Sequence, residues 1–157
     1  MPNRFVMKPK VIFAAIFLSL LLNFVSALPA QVNTNRKSDE VPAIVLSGLK
    51  AYKDKGADEA VRAWIKGSAI DGSKEALTQA NNLRQIEDYY GSYRDFEVVA
   101  ITDVTPKTRA VYIVLDFEKG PLFAKFVVYR PNESWILVNF NFNTKEEAIL
   151  PTAVHER

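Results

Sequence analysis

The chain has 157 residues, 20 Lys and Arg against 18 Asp and Glu, a formal charge of +2, and no cysteine. Arg4, Lys8 and Lys10 lie in the first ten positions and no acidic residue precedes Asp39, so beyond the leader 17 basic residues face 18 acidic ones, a net of −1. That balance, with no dense Lys/Arg run, excludes the electrostatic footprint of a nucleic-acid binder. The missing cysteine excludes disulfides, thiol chemistry and a lipid-bearing N-terminal cysteine.

The basic start leads into an apolar run from Val11 to Leu22 and then small residues near Ala27 and Ala30. This order is that of an export signal, and the run is shorter than the roughly 20 residues that span a bilayer. Residues 1–27 are therefore expected to be a signal peptide, with cleavage after Ala27 ranked ahead of Ala30. The mature protein is then periplasmic or secreted, and membrane-bound only if the signal is retained. Residues 28–41 read as a flexible mature N-terminus, 42–151 as one domain and 152–157 as a C-terminal tail.

Pro42 suits a helix start, and Val45, Leu49 and Tyr52 recur at helical spacing up to a stop at Gly56. A second helix over 58–66 carries Ala60, Val61 and Trp64 and stops at Gly67. Ser73 is placed to cap a third helix reaching Tyr90, with an apolar stripe of Leu77, Ala80, Leu83, Ile86 or Glu87, and Tyr90, closed by Gly91. Beyond Gly91 the texture becomes rich in Val, Ile, Phe and Tyr with alternating polarity. Strands are expected over 93–104, 109–118, 122–130 and 134–143, separated by three short turn-like segments, which makes an antiparallel meander. Thr144-x-x-Glu147 resembles a capping box opening one last turn.

Two-residue turns at Pro106-Lys107 and Lys119-Gly120, and a three-residue loop before the last strand, fix an expected register. They pair Phe117 with Leu122, Leu115 with Ala124, Ile113 with Phe126, Phe126 with Val138 and Ala124 with Phe140. They also set Phe96, Val98 and Ala100 on this apolar side, which is assigned to the helices. The opposite side then holds Val99, Ile101, Tyr112, Val114, Val127, Tyr129, Trp135 and Leu137, with Glu97, Asp116, Phe123, Lys125, Asn139 and Asn141 at its other end. So apolar an outer face marks a contact surface. Tyr112, Val127, Tyr129, Trp135 and Leu137 are accordingly the expected interface of a homodimer, with cover by a terminal tail or a ligand groove as the other readings.

Helices followed by a long antiparallel sheet resemble the NTF2-like (cystatin-like α+β roll) superfamily. The resemblance rests on Asp88-Tyr89-Tyr90-Gly91-Ser92-Tyr93, on Phe117-Glu118-Lys119-Gly120-Pro121 and on the run from Trp135 to Phe142, and it covers residues 42–151. The segment also resembles small exported bacterial proteins of uncharacterised function. The resemblance implies three N-terminal helices on a curved four-stranded meander. It also implies dimerisation through the sheet and a pocket between sheet and helices, which in the enzymes of the superfamily holds an acidic residue with a His or Tyr. The single histidine, His155, lies three residues from the C-terminus, which speaks against a histidine-based mechanism.

The candidate pocket set is Trp64, Tyr89, Tyr90, Asp116, Lys125, Asn139 and Asn141, suited to a small apolar ligand. Asp116 is the best acid/base candidate because the register sets it opposite Glu97. The plainer readings are a solvated ion cluster at the sheet rim and aromatics that seal helix to sheet. No metal site, cofactor or catalytic residue is expected, because the chain lacks clustered ligands and phosphate-binding glycine loops. Asn132-Glu133-Ser134 matches a glycosylation acceptor in a turn. A non-catalytic binding or interaction domain is the leading expectation, and a pocket protein with acid/base chemistry is the alternative.

Overall fold

The computed structural model describes residues 40–152, which form three helices followed by a four-stranded antiparallel sheet, an α+β fold. The expected signal peptide and His155 lie outside the described residues.

Helix α1, Ala43–Lys55, follows Pro42 and buries Val45, Gly48, Leu49 and Tyr52, one stripe at spacings of three and four. Lys53 and Lys55 sit in its last turn, where cations oppose the helix dipole. Helix α2, Ala57–Ile65, begins with Asp58 and Glu59 and buries Ala60, Val61, Trp64 and Ile65. The Trp64 indole N–H donates to the Val45 carbonyl at 3.0 Å. This brings the ring against α1 at Gly48, where a Cβ would stand 2.0 Å from the indole nitrogen. Only glycine admits that approach.

Helix α3, Lys74–Tyr90, is capped as its sequence suggests, with the Ser73 hydroxyl accepting from the Ala76 N–H. Its buried stripe is Ala76, Ala80 and Leu83, whereas Leu77 is 66 % exposed. Ala80, Leu83, Ile86 and Tyr90 keep their expected place against the core, and only at the start of the stripe does Ala76 stand in for Leu77. Gly91 ends α3 at φ 83°, a conformation that strains other residues, and a Cβ there would strike Glu118.

The strands are β1 Tyr93–Thr105, β2 Thr108–Phe117, β3 Pro121–Tyr129 and β4 Ile136–Asn143, hydrogen-bonded in chain order. Three departures from the expected register matter. The β2–β3 connection spans Phe117 to Gly120 and not two residues, so Leu115 pairs with Leu122 and Val111 with Phe126. It is pinned from outside, because Lys119 N–H donates to the Tyr90 carbonyl and Glu118 N–H to that of Ser92. A slip of two residues changes partners but keeps each side chain on its face.

In β1, bulges between Asp103 and Thr105 and between Val98 and Ala100 reverse the faces of the residues between them, turning Ile101 towards the helices and Ala100 away, the reverse of expectation. In β4 a bulge makes Val138 the extra residue. Asn139 pairs with Val127, Leu137 pairs with Val128, Leu137 is 1 % exposed and Val138 is 50 % exposed. The final turn is a 3-10 turn over Glu146–Ala148 with no side-chain cap, so Thr144 does not form the expected capping box.

The core lies between the helices and one face of the sheet. Trp64 packs on Phe126 and Phe140, with ring centroids 5.0 and 5.6 Å away, and Tyr52 stacks on Tyr93 at 4.7 Å. Val111, Ile113, Leu115, Leu122, Ala124 and Val128 complete it from the sheet. Among the described residues no charged or polar residue is buried in this layer.

Candidate interaction face and the interior

The outer face of the sheet is built of pairs that run across all four strands. One row reads Glu97, Val114, Phe123 and Asn143, and the next Ala100, Tyr112, Lys125 and Asn141. A third reads Thr102, Ala110, Val127 and Asn139. Tyr112, Val114, Phe123 and Val127 stand half-buried and outside the core cluster, and Tyr129 is 38 % exposed. The Lys125 ammonium lies 5.5 Å from the centre of the Tyr112 ring, a cation–π contact that holds it flat on the face.

The two edges of this face differ in character. On β1 and the end of β2, Asp95 faces Asp116, with Glu97 one row on, and burial together with Glu97 and Asp95 raises the Asp116 carboxyl above its usual range. The expected partner of Asp116 was Glu97, but the β1 bulges move Glu97 opposite Val114. On β4, Asn139, Asn141 and Asn143 present uncharged amides, and the Asn141 amide donates to Asn139 at 3.0 Å.

Two of the five expected interface residues lie elsewhere. Leu137 is in the core because of the β4 bulge. Trp135 packs against the core cluster, flanked by the guanidinium carbons of Arg109 and Arg130 at 5.3 and 4.9 Å from its ring centre. Arg109 is itself tied to Asp103 and to the Glu40 carbonyl. Trp135 and Phe140 thus face the same interior. Tyr112, Val127 and Tyr129 remain on the outer face, and Val114 and Phe123 join them at its centre. The alternation of polarity signalled all five, and only the bulges misplaced the others.

The expected pocket set is not brought together. Trp64 is buried on the helix side, whereas Asp116, Lys125, Asn139 and Asn141 occupy the opposite face. Tyr89 is 74 % exposed, and Tyr90 packs against Tyr89 and over Gly120. Tyr93 closes the core, the sealing role that aromatics take where a helix meets a sheet. On the helix side a cleft of about 300 Å³ between α2 and α3 is lined by Val61, Ile65, Ala76 and Leu77 with Asp58 and Arg62 at its rim. Among the described residues no group of three His, Cys, Asp or Glu is placed to hold a metal ion.

No protein-family model matches the chain, and no curated protein matches it. Among solved structures it is similar to a domain of unknown function with a cystatin-like fold from Nostoc punctiforme. The identity is 14%, the TM-score 0.46, and the match covers 78% of this chain and 93% of that one.

Proposed function

We propose that this is an exported, NTF2-like, non-catalytic interaction domain that self-associates through the outer face of its sheet. The observation that carries this reading is the group of half-buried apolar side chains Tyr112, Val114, Phe123 and Val127, with Lys125 laid over the Tyr112 ring among them, on the side of the sheet away from the helices. Burying such surface yields roughly 25 cal/mol per Å² before the costs of association. The catalytic alternative has less behind it. The space between helices and sheet is filled by the rings of Tyr52, Trp64, Phe126 and Phe140, and Asp116 is separated from it by the sheet itself.

The test is Phe123→Asp, which places a charge at the middle of the face without touching the core. Sedimentation velocity is expected to show a dimer for the parent protein and a folded monomer for the variant. Val138→Asp, on the exposed β4 bulge, serves as control and is expected to leave the dimer intact. A Phe123→Asp protein that still sediments as a dimer overturns the reading.

A further inference from the structure

The sheet has two open edges, and they are built differently. The β1 edge carries Arg94, Asp95, Glu97 and Asp103, and three register shifts interrupt its pairing with β2. Charges and bulges of that kind keep foreign strands away. The β4 edge reads Ile-Leu-Val-Asn-Phe-Asn-Phe-Asn, with no charge and no proline. Its one shift falls at Val138, and residues 139–143 then pair without interruption with residues 123–127 of β3. In an antiparallel pair only alternate residues of a strand bond to the neighbour, so the others aim their N–H and C=O groups outwards. Among the described residues nothing pairs with those outward groups of β4.

A groove of about 190 Å³ lies beside this edge, between residues 138–141 of β4 and Ile70, Glu75, Ala76 and Gln79 at and just before the start of α3. Ala76 and Phe140, each 5 % exposed, and the half-buried Ile70 give it an apolar floor. The volume is below the roughly 300–1,000 Å³ of small-molecule pockets and suits one side chain of a strand lying alongside. Glu75 is exposed, is the only charged residue lining the groove, and is paired with no cation among the described residues.

We propose that the open edge of β4 docks an extended peptide segment of a partner protein, which joins the sheet as a fifth strand. One apolar side chain of that segment enters the groove, and a basic one on the same side meets Glu75. The main-chain hydrogen bonds supply affinity whatever the sequence, and the groove and the carboxylate supply selectivity. A second copy of this chain fits less well. Two β4 strands joined edge to edge bring both Glu75 carboxylates to the junction, and β4 carries no cation to meet them.

The test uses two pentapeptides, acetylated and amidated at their ends, Thr-Val-Thr-Lys-Thr and Thr-Val-Thr-Glu-Thr, titrated into the full protein and followed by amide NMR. Residues two apart share one face of a strand, so Val and the charged residue both turn to the helix side. The Lys peptide is expected to shift the amides of residues 139–143 and 75–79 and to slow solvent exchange at alternate amides of β4. It is expected to bind about threefold or more tighter than the Glu peptide, and Glu75→Lys is expected to reverse that order. N-methylation tests the backbone. Methylating either the Thr nitrogens or those of Val and Lys blocks one edge of the peptide, so one form is expected to bind like the parent peptide and the other at least about tenfold more weakly. Equal binding by the two methylated forms, equal binding of the Lys and Glu peptides, or no shift up to about 2 mM peptide overturns the proposal. Exchange in β4 that slows with protein concentration alone would put a second copy on the edge and overturns it too. Phe123→Asp is expected to bind the Lys peptide as the parent protein does, so this site and the outer-face dimer stand or fall separately.

Discussion

Removing the hydroxyl of Tyr52 is expected to stabilise the protein. Tyr52 is 2 % exposed, its ring stacks on Tyr93 at 4.7 Å and meets Trp64 and Phe117 edge-on. Its hydroxyl finds no hydrogen-bond partner among the described residues. Burying a hydroxyl without a partner costs about 1–3 kcal/mol by mutational measures. Tyr52→Phe keeps every ring contact and deletes only that cost, so a gain of about 1–2 kcal/mol is expected. For a domain of this size each kcal/mol moves Tm by about 4 °C, which puts the rise at about 4–8 °C. Thermal unfolding followed by circular dichroism at neutral pH measures it. A fall in Tm would show that the hydroxyl is held by a group or a buried water, and would refute the reasoning.

The same tyrosine governs behaviour in alkali. Burial, reinforced by Glu87, pushes the Tyr52 hydroxyl far above its usual value of 10.0, and burial does the same for Tyr93. The folded state keeps protons that the unfolded state releases, so stability is full below about pH 10 and falls as pH rises above it. Urea midpoints measured from pH 8 to pH 11 are expected to decline beyond pH 10 and to decline less in Tyr52→Phe, and a flat profile would count against the burial. Leu137→Ala is expected to cost about 2–5 kcal/mol and Val138→Ala well under 1. The reverse order in denaturant titrations would place the β4 bulge elsewhere. Gly48→Ala drives a methyl into the Trp64 indole, and a loss of about 3 kcal/mol or more is expected; a parent-like Tm would deny that contact.

Helix ends and most side-chain faces were legible in the sequence for local reasons. Ser73 before an apolar-periodic run and glycines at 56 and 91 mark termini whatever the rest of the chain does. The sheet faces survived a wrong β2–β3 turn because parity along a strand is indifferent to a two-residue slip. Bulges break that parity, and they leave little trace in composition: nothing in Asp103-Val104-Thr105, Val98-Val99-Ala100 or Leu137-Val138-Asn139 says which residue is extra. This is why Ile101, Leu137 and Trp135 were set on the wrong side. In α3 the stripe was legible from Ala80 onwards, and only its first member differs, with Ala76 5 % exposed and Leu77 66 %. The candidate pocket set is not one site because adjacency in a list of polar and aromatic residues carries no information about which layer each belongs to: Asp116, Lys125, Asn139 and Asn141 keep the outer face expected of them, while Trp64 belongs to the helix layer.

Dilution of the purified protein speaks most directly to whether the outer sheet face joins two copies. Sedimentation equilibrium over roughly 1 to 300 µM is expected to show the mass climbing from that of one chain towards two, with its midpoint in the micromolar range. A mass that stays at one chain across the whole series would contradict it.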